Sequence, residues 1–341
     1  MIPNSTPAPW TKNIPPARDR LQSQILVGIA VPVLCYLIFS EFQFLLKILS
    51  AEHGPLSLLG LARGSFIPSQ GRYDSFFAQI AAVSAIFALA AWRLRAATAM
   101  ASVCGGMICL LISTNLNTVP GASVFHSGLA PLLLLFVFTF GATCLGRERN
   151  AATRLAESRS GRNAAQVIAN LGIAAFFSSM TGWYIVAKCG WFGEFMGDGA
   201  IARAYFAIPY LPMLAALAEA TADTVSSEIG QAFGGTPFLF TTLRRVPPGT
   251  DGAISLYGTL AGIAAAAIIA AVGAPAMGMS ATECSVAFAA GVAGFFFDSL
   301  LGATMERKGW LGNDLVNFAS TAFAAALSLL AIRFGQNYLL R

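Results

Sequence analysis

The chain has 341 residues, of which 56% are hydrophobic and only 11% are charged, and its formal net charge is +5. A soluble domain carries about 25% charged residues, so this chain has too few to cover a water-exposed surface. Its basic residues lie in short segments beside long apolar runs, a placement that argues against nucleic-acid binding as the reason for the positive charge. The composition therefore predicts an integral, multi-pass membrane protein.

A transmembrane helix needs about 20 mainly apolar residues. The sequence accordingly predicts an all-α, polytopic transmembrane helical bundle with about nine spans. In chain order these are Ile25–Phe42, Phe76–Trp92, Ala96–Ser113, Gly128–Gly146, Gln166–Ala187, Ile201–Ala222, Ala253–Pro275, Thr282–Leu300 and Leu315–Phe334. Residues 1–24, rich in proline and polar side chains, predict a flexible cytoplasmic tail.

The basic residues also predict the orientation. With the N-terminus in the cytoplasm of a bacterial-type membrane, fourteen of the 21 Lys and Arg residues fall in inner segments, as the positive-inside rule requires. Residues 25–146 form about four spans with few polar groups and predict a scaffold. Residues 147–341 form about five spans that contain Gly, Ser, Thr, Asn and Asp. Because polar groups in spans are costly without a function, the second region predicts the catalytic part.

The first acidic cluster lies at the inner end of the sixth predicted span. Glu219, Asp223 and Ser227 are spaced i, i+4 and i+8, so they line one face of a helix. No basic residue lies between Arg203 and Arg244 to neutralise them locally. Such carboxylates favour a metal or a cationic ligand. The alternative is a helix end that is simply solvated.

The second cluster precedes the seventh predicted span. Arg244 and Arg245 are followed by a Pro-Pro-Gly turn and then by Thr250 and Asp251. Two guanidinium groups beside the free N–H groups of a helix N-terminus predict a phosphate site. A helix cap formed by Thr250 or Asp251 is the alternative interpretation.

The third cluster centres on Asp298. Gly294 and Gly302, at i−4 and i+4, leave its helix face bare, and that space suits a metal or a phosphate oxygen. The alternative is a carboxylate that is tolerated because it pairs with Arg307 or Lys308 nearby. Either way, Asp298 is expected on the cytoplasmic side.

Two further segments complete the predicted site. Asn313 and Asp314 open the last span, and Asn317 continues the polar face inward, although Asp314 alone is also a suitable helix cap. Arg162 and Asn163 end a basic segment, whose simplest explanation is membrane topology.

The absence of familiar motifs narrows the chemistry. The sequence has no GxxxxGK[ST], GxGxxG, HExxH or GxSxG pattern, and both histidines lie in predicted outer loops. Many carboxylates without His or Cys favour Mg²⁺, which binds through oxygen and shares its ligand shell with substrate phosphates. This donor set predicts phosphoryl or nucleotidyl transfer.

Four ordered motifs resemble one known family. They are Ala220–Gly230 (ATADTVSSEIG), Val246–Ser255 (VPPGTDGAIS), Asp298–Thr304 (DSLLGAT) and Asn313–Asn317 (NDLVN). They are similar to the phytyl-phosphate kinase and transmembrane protein 19 family of integral membrane proteins. The resemblance is close over about residues 147–334. It implies transfer of a phosphoryl group from CTP or GTP to a prenyl monophosphate such as phytyl, farnesyl or geranylgeranyl phosphate.

The resemblance also implies roles for individual residues. Catalytic and metal-binding roles fall on Asp223, Asp251, Asp298 and Asp314, with Glu228 as a further metal ligand. Phosphate- and nucleotide-binding roles are expected for Arg162, Asn163, Ser227, Arg244, Arg245, Thr250, Lys308, Asn313 and Asn317. The leading hypothesis is therefore a Mg²⁺-dependent prenyl-phosphate kinase. The alternatives are a CTP-dependent cytidylyltransferase, an ion-coupled transporter and a non-catalytic membrane scaffold.

Overall fold

The computed structural model describes residues 14–50, 70–114, 125–152, 161–188 and 210–339. These residues confirm the predicted all-α class, since they form ten α-helices, one π-helical turn and a single short two-stranded ribbon. The helices are α1 (Pro16–Ser50), α2 (Gln70–Arg93), α3 (Ala99–Ser113), α4 (Leu129–Ala152), α5 (Ala164–Ser178), α6 (Met180–Lys188), α7 (Tyr210–Phe233), α8 (Leu256–Ala276), α9 (Ala281–Leu301) and α10 (Asn313–Leu339). Strand β1 (Phe238–Leu239) pairs antiparallel with β2 (Ala253–Ile254), and the π-helical turn (Gly302–Glu306) continues α9.

Five of these helices are long and apolar enough to cross a membrane, and a sixth span results if the bent pair α5 and α6 counts as one. The five are Pro16–Gln43, Leu129–Arg147, Leu256–Ala276, Ala281–Glu306 and Asn313–Ala331. The predicted number of nine is therefore too high for the described residues. The apolar parts of α2 and α3 are shorter, and residues 201–209 of the sixth predicted span lie outside the described part.

Helix α7 is not among these spans, because its acidic and hydroxyl side chains lower its hydropathy, and protein surrounds it on several sides. It contacts α4, α5, α8, α9 and α10, and most of its 24 residues are buried. A helix in this position can carry acidic side chains without exposing them to hydrocarbon. The sequence indicated that Glu219 and Asp223 lie at the end of this helix. Because α7 continues to Phe233, they lie within it instead.

The predicted span Gln166–Ala187 is not one continuous helix. It is divided at Ser179, where α5 and the start of α6 meet at 83°. The hydroxyl of Ser179 accepts a hydrogen bond from Gly182 N at 2.9 Å, and Glu41 of α1 accepts one from Met180 N. These acceptors satisfy N–H groups that the broken helix leaves without partners, and so they stabilise the bend.

Small residues let α7 and α8 approach closely, as the sequence predicted for Gly258 and Gly262. A Cβ atom added to Gly258 would lie 2.9 Å from the Cα of Gly230, and one added to Gly262 would lie 2.6 Å from the carbonyl oxygen of Ala222. Larger side chains at these positions would separate the two helices.

The connection between α7 and α8, residues 234–255, folds back as a hairpin. Its Gly252 has a φ of +70°, and a Cβ atom there would overlap the backbone nitrogen of Ala303 in the π-helical turn. A Cβ on Gly302 would in turn lie 2.7 Å from the backbone nitrogen of Gly252. The ring of Phe240 also stacks on Phe296 of α9 at 5.9 Å. The hairpin is therefore packed directly against the end of α9.

The first turns of α1 bind the segment between the π-helical turn and α10. Four hydrogen bonds join them: Arg18 Nη1 to Gly309 O at 2.9 Å, Gln22 Nε2 to Trp310 O at 2.8 Å, Gly312 N to Gln22 Oε1 at 2.7 Å, and Ser23 Oγ to Asp314 Oδ2 at 2.6 Å. Residues 16–24 of the predicted flexible tail are thus helical and held in place. Residues 1–13 lie outside the described part of the chain.

Candidate active site

A polar cavity of about 260 Å³ lies among the segment before α5, α5 itself, α7, the hairpin, α9, the π-helical turn and the start of α10. We call it the polar cavity. Its polar lining consists of Arg162, Gln166, Asn170, Asp223, Thr224, Ser226, Ser227, Glu228, Gln231, Thr250, Asp251, Ser255, Asp298, Ser299, Glu306, Asn313 and Asn317. Groups from widely separated parts of the chain therefore share one space.

Five carboxyl groups line this cavity, from Asp223, Glu228, Asp251, Asp298 and Glu306. Within the described part of the chain, the only basic residue of the lining is Arg162. The cavity thus carries a large excess of negative charge. Such an excess is stable only when a cation, a proton or hydrogen-bond donors compensate it.

The carboxyl groups are tied to different helices. Thr143 of α4 donates a hydrogen bond to Glu228 Oε1 at 2.9 Å, and Ser320 of α10 donates one to Asp298 Oδ2 at 3.2 Å. Asp298 lies close enough to Asp223 and Glu306 for their charges to repel one another. Fixed carboxylates at such separations form a suitable environment for a cation.

Glu219 lies one turn deeper in α7 than Asp223 and is only 1% exposed. In the described structure neither of its carboxyl oxygens has a hydrogen-bond partner. Ser320 is near Glu219, but its hydroxyl donates to Asp298 instead. The close fit of Gly294, whose Cβ would lie 2.7 Å from Glu219 Cγ, leaves no room for another side chain at this point.

Glycines beside Asp298 therefore have a different role from the one their spacing suggested. Gly294 accommodates Glu219 and Gly302 accommodates the hairpin, so both permit close packing of neighbouring elements. Lys308, one of the two predicted pairing partners of Asp298 besides Arg307, has a different neighbour in the structure. The ammonium group of Lys308 lies over the ring of Trp310 at 5.0 Å.

Arg162 is positioned by backbone contacts with the turn between α2 and α3. Its N–H donates to Ala96 O at 3.0 Å, and its carbonyl accepts from Thr98 N at 2.9 Å. Further along the wall, Asn317 donates to Asn170 Oδ1 at 3.4 Å. Both asparagines therefore lie between α5 and α10 at the same wall of the cavity.

Nine of the predicted site residues line the polar cavity. They are Arg162, Asp223, Ser227, Glu228, Thr250, Asp251, Asp298, Asn313 and Asn317. The five that do not are Asn163, Arg244, Arg245, Lys308 and Asp314. The predicted convergence of aspartates thus holds for three of the four, and Asp314 instead accepts its hydrogen bond from Ser23.

The residues outside the lining have identifiable surroundings. Asn163 caps α5 in a reciprocal capping box with Gln166. Arg244 and Arg245 are both exposed, and the guanidinium of Arg245 lies 5.9 Å from the ring centre of Phe238. The seventh span was predicted to begin at Ala253, and α8 begins three residues later at Leu256. The predicted phosphate site at this helix N-terminus lacks its two arginines, because neither lines the polar cavity.

Neither Thr250 nor Asp251 caps α8. Ser255 does so, and its hydroxyl accepts a hydrogen bond from Gly258 N at 3.2 Å. The hydroxyl of Thr250 donates to Pro247 O at 2.7 Å within the hairpin. Both residues line the polar cavity.

Glu306 is a cavity carboxylate that the sequence pattern did not single out. In a regular α-helix it would lie about 80° around the helix axis from Asp298, which is eight residues earlier. The π-helical turn at Gly302–Glu306 rotates less per residue and brings Glu306 to the same side, where it is 5% exposed. Such turns are often found at functional sites.

The donor set of the polar cavity suits Mg²⁺. Its carboxylate, amide and hydroxyl oxygens are hard ligands, and buried Glu219 lacks a partner. No group of three or more His, Cys, Asp and Glu residues in the described ranges is arranged to enclose a metal by itself. Mg²⁺ commonly uses one or two carboxylates together with substrate phosphates, so an enclosing cage is not required.

A family profile described as integral membrane protein DUF92 matches residues 82–325. This match begins within α2, so it includes α3 and α4 of the region that the sequence indicated as a scaffold. No solved structure matches the chain.

Three relatives are similar to parts of the chain. The chloroplast protein VTE6 of Arabidopsis thaliana is 30% identical over 222 residues, which are 64% of this chain and 62% of VTE6. An uncharacterized membrane protein of Synechocystis is 30% identical over 223 residues, covering 63% and 77% of the two chains. Another from Methanocaldococcus jannaschii is 42% identical over 118 residues, covering 34% and 49%. The chain thus matches less than two thirds of VTE6 and about half of the archaeal protein.

Proposed function

We propose that this chain, which belongs to the DUF92 family of integral membrane proteins, is a membrane-embedded kinase that converts a prenyl monophosphate to the diphosphate. The donor is a nucleoside triphosphate, either CTP or GTP, and the acceptor is phytyl, farnesyl or geranylgeranyl phosphate. The similarity to VTE6 and the resemblance of four motifs to the phytyl-phosphate kinase family support this proposal.

One observation carries the proposal: five carboxylates and one arginine from different elements line a single polar cavity. Carboxylates in this number repel a free triphosphate, so they suit a nucleotide only when it brings a divalent cation. Phosphoryl transfer depends chiefly on positioning the reactants and neutralising charge, and a cavity of this kind can do both.

Each wall of the cavity has a role in this proposal. One or two of Asp223, Asp251 and Asp298 would hold Mg²⁺ together with the donor phosphates, and Glu228 and Glu306 line the same cavity. When bound, Mg²⁺ neutralises the donor phosphates and orients them. The hydroxyls of Thr250 and Ser227 donate to Pro247 O and Thr224 O in this structure, and they would turn to donate to phosphate oxygens when the nucleotide binds. Asn313 and Asn317 would contact the nucleotide.

The reaction needs no general base. A phosphate oxygen of the lipid attacks the γ-phosphorus, and one P–O bond forms. The bond from that phosphorus to the β,γ-bridging oxygen breaks, and the nucleoside diphosphate leaves with the electron pair. Because the attacking oxygen is already an anion at neutral pH, no proton has to be removed, and the described residues that line the cavity include no histidine.

The proposed site faces the cytoplasm. The N-terminal end of α1 binds the segment beside Asn313, so it lies at the same end of the bundle as the polar cavity. The positive-inside rule assigns this end to the cytoplasm, where nucleoside triphosphates are present.

The test is a direct assay of the purified protein with Mg²⁺, each of CTP, GTP and ATP, and phytyl, farnesyl or geranylgeranyl phosphate. We expect the lipid diphosphate and the nucleoside diphosphate as products in equal amounts. Lipid that stays unaltered with every triphosphate rejects the proposal. Mass spectrometry also separates the nearest alternative, since a cytidylyltransferase would release pyrophosphate and leave a CMP-linked lipid.

One observation favours a second candidate, an ion-coupled transporter. Glu219 lies inside the bundle within α7, and buried acidic residues without partners occur in ion pathways. Solute uptake into proteoliposomes that a Glu219→Gln substitution abolishes would establish transport. Uptake that is absent under the conditions of the kinase assay leaves the kinase as the function.

A further inference from the structure

A second cavity, which we call the apolar cavity, lies between α2, α3, α4, α5 and α7. It encloses about 80 Å³. Side chains such as Phe87, Leu132, Leu135, Phe136 and Leu171 make its wall mainly apolar. On α4 it extends from Leu132 to Arg147, a distance of about 22 Å along a helix. Its shape and chemistry suit part of a long hydrocarbon chain.

Three arginines lie at one end of the apolar cavity. Arg95 comes from the turn after α2, Arg147 from the end region of α4, and Arg162 from the segment before α5. No lining residue in the described part of the chain is acidic. Gly161, at a φ of +79°, holds its backbone against that of Arg95, so Arg95 and Arg162 are close neighbours. Three guanidinium groups at this position suit a phosphate.

A buried serine supplies an independent indication of a polar ligand. Ser102 lines the apolar cavity, is 4% exposed, and its hydroxyl has no hydrogen-bond partner in the described structure. It lies in the first turn of α3, which Thr98 caps next to Arg162. The hydroxyl is therefore at the arginine end of the cavity, and its cost of burial is removed when it donates to a ligand oxygen.

The two cavities adjoin each other. Arg162 and Asn170 line both, and Thr143 of the apolar cavity donates its hydrogen bond to Glu228 of the polar cavity. A phosphate bound at the arginine end would thus lie beside the site proposed for the nucleotide.

We propose that the apolar cavity is the acceptor site for the lipid monophosphate. This inference rests on the proposed function. The phosphate binds Arg95, Arg147, Arg162 and Ser102, and the hydrocarbon chain begins between α3 and α4 and runs toward Leu132. Arg162, which lines both cavities, contacts the phosphate of the lipid and the phosphates of the nucleotide. Helices α2, α3 and α4 of the first region therefore supply most of the wall that binds the lipid.

Kinetics of single substitutions test the phosphate contacts. Arg95→Gln and Arg147→Gln are expected to raise the KM for the lipid phosphate roughly tenfold each, as for loss of a charge-assisted hydrogen bond. The KM for the nucleoside triphosphate should stay within about twofold of the wild-type value, because neither residue lines the polar cavity. Arg93→Gln is the matched control, since exposed Arg93 at the end of α2 lines neither cavity.

The outcomes distinguish this inference from the function on which it rests. A wild-type protein without kinase activity rejects the proposed function. An active wild type whose Arg95 and Arg147 variants behave like the Arg93 control, or lose affinity for nucleotide instead, rejects the acceptor site alone.

Photo-crosslinking gives a readout that does not depend on turnover. A farnesyl phosphate analogue with a diazirine near its phosphate end is expected to label peptides of α2, α3 and α4. Unlabelled farnesyl phosphate should compete with it, whereas farnesol and inorganic phosphate should compete poorly because each has only half of the required chemistry. Gly105→Leu should reduce labelling, since only Phe87 lies within 4 Å of a Cβ at that position and the leucine would fill the cavity. Labelling confined to the outer groove at Ala264 and Ile268 of α8 would overturn the proposal.

Discussion

The two neighbouring cavities of this bundle differ in the chemical character of their lining. The polar cavity is formed mainly by α5, α7, the hairpin, α9 and α10, and five carboxylates line it. The apolar cavity is formed mainly by α2, α3, α4 and α5, and arginines lie only at the end where the two meet. Helix α5 and Arg162 belong to both.

Under the proposed function, this difference separates two tasks: binding the nucleotide and binding the lipid. A nucleotide with its metal needs fixed oxygen ligands and donors, whereas a hydrocarbon chain needs apolar walls without directional contacts. The small number of polar groups in the first region indicated a scaffold, yet the same composition suits a lipid-binding wall. Polar residues alone are therefore a poor guide to which part of a membrane enzyme contacts the substrate.

The comparison predicts its largest effect at Asp298. Asp298→Asn keeps the size of the side chain but removes the charge proposed to hold Mg²⁺, so we expect the rate of lipid diphosphate formation to fall more than about 100-fold. Glu283→Gln, at the opposite end of α9, is the matched control because glutamine preserves the capping box with Ser280. A rate near the wild-type value for Asp298→Asn would remove the polar cavity from the chemistry.

The next effect concerns the position of the hairpin. A methyl group in Gly252→Ala would overlap Ala303, so the hairpin and Asp251 must move, and a displacement of about 1 Å lowers rates roughly 10- to 100-fold. Gly235→Ala is the control, since Gly235 has a similar φ of +67° but nothing within 4 Å of an added Cβ. Equal activities of the two variants would mean that contact with the π-helical turn is unimportant.

A smaller effect is expected where α1 is attached. Gln22→Ala removes one donor and one acceptor, which lowers the free energy of unfolding by about 1–3 kcal/mol. Thermal unfolding in detergent measures this, with Gln24→Ala, an exposed position on the same helix, as the control. The KM for the lipid phosphate should not change, because α1 lines neither cavity.

The smallest effect is expected at Asn163. Substitutions there test whether this residue caps α5 or binds phosphate. Asn163→Ala should lower the free energy of unfolding by about 1 kcal/mol, and Asn163→Ser should restore most of it. The kinetic constants of both variants should match the wild type. A nucleotide KM that rises in both would instead support the predicted role in phosphate binding.

Helix periodicity was sufficient to predict much of the polar cavity. The spacing of Asp223 and Ser227 on one face needs only the geometry of an α-helix, and both line the cavity. Asp298 was singled out because glycines at i−4 and i+4 flank it, although in the structure these glycines permit close packing. Asp251 was singled out by its place after the Pro-Pro-Gly turn and by the family resemblance. The capping box of Asn163 and Gln166 likewise has a sequence pattern that identifies it.

Other features depend on geometry that periodicity does not contain. Arg244 and Arg245 face outward because of the hairpin, and Glu306 faces inward because of the π-helical turn. The bend at Ser179 is stabilised by Glu41 from a distant helix, a contact that no local pattern indicates. Arg95 and Arg147 conform to the positive-inside rule, which concealed their shared position at the apolar cavity.

The attachment of α1 has a consequence for biogenesis. Arg18 and Gly309 are 291 residues apart, so the ribosome completes α1 long before its partner segment leaves the exit tunnel. Until then α1 has to wait in the bilayer, and it is suited to this because only 22% of its most apolar stretch is buried against protein. Its docking is therefore expected as a late step of membrane insertion, after α9 and α10 have been integrated. Helix α1 is synthesised before the other described helices, and it is expected to reach its final contacts after them.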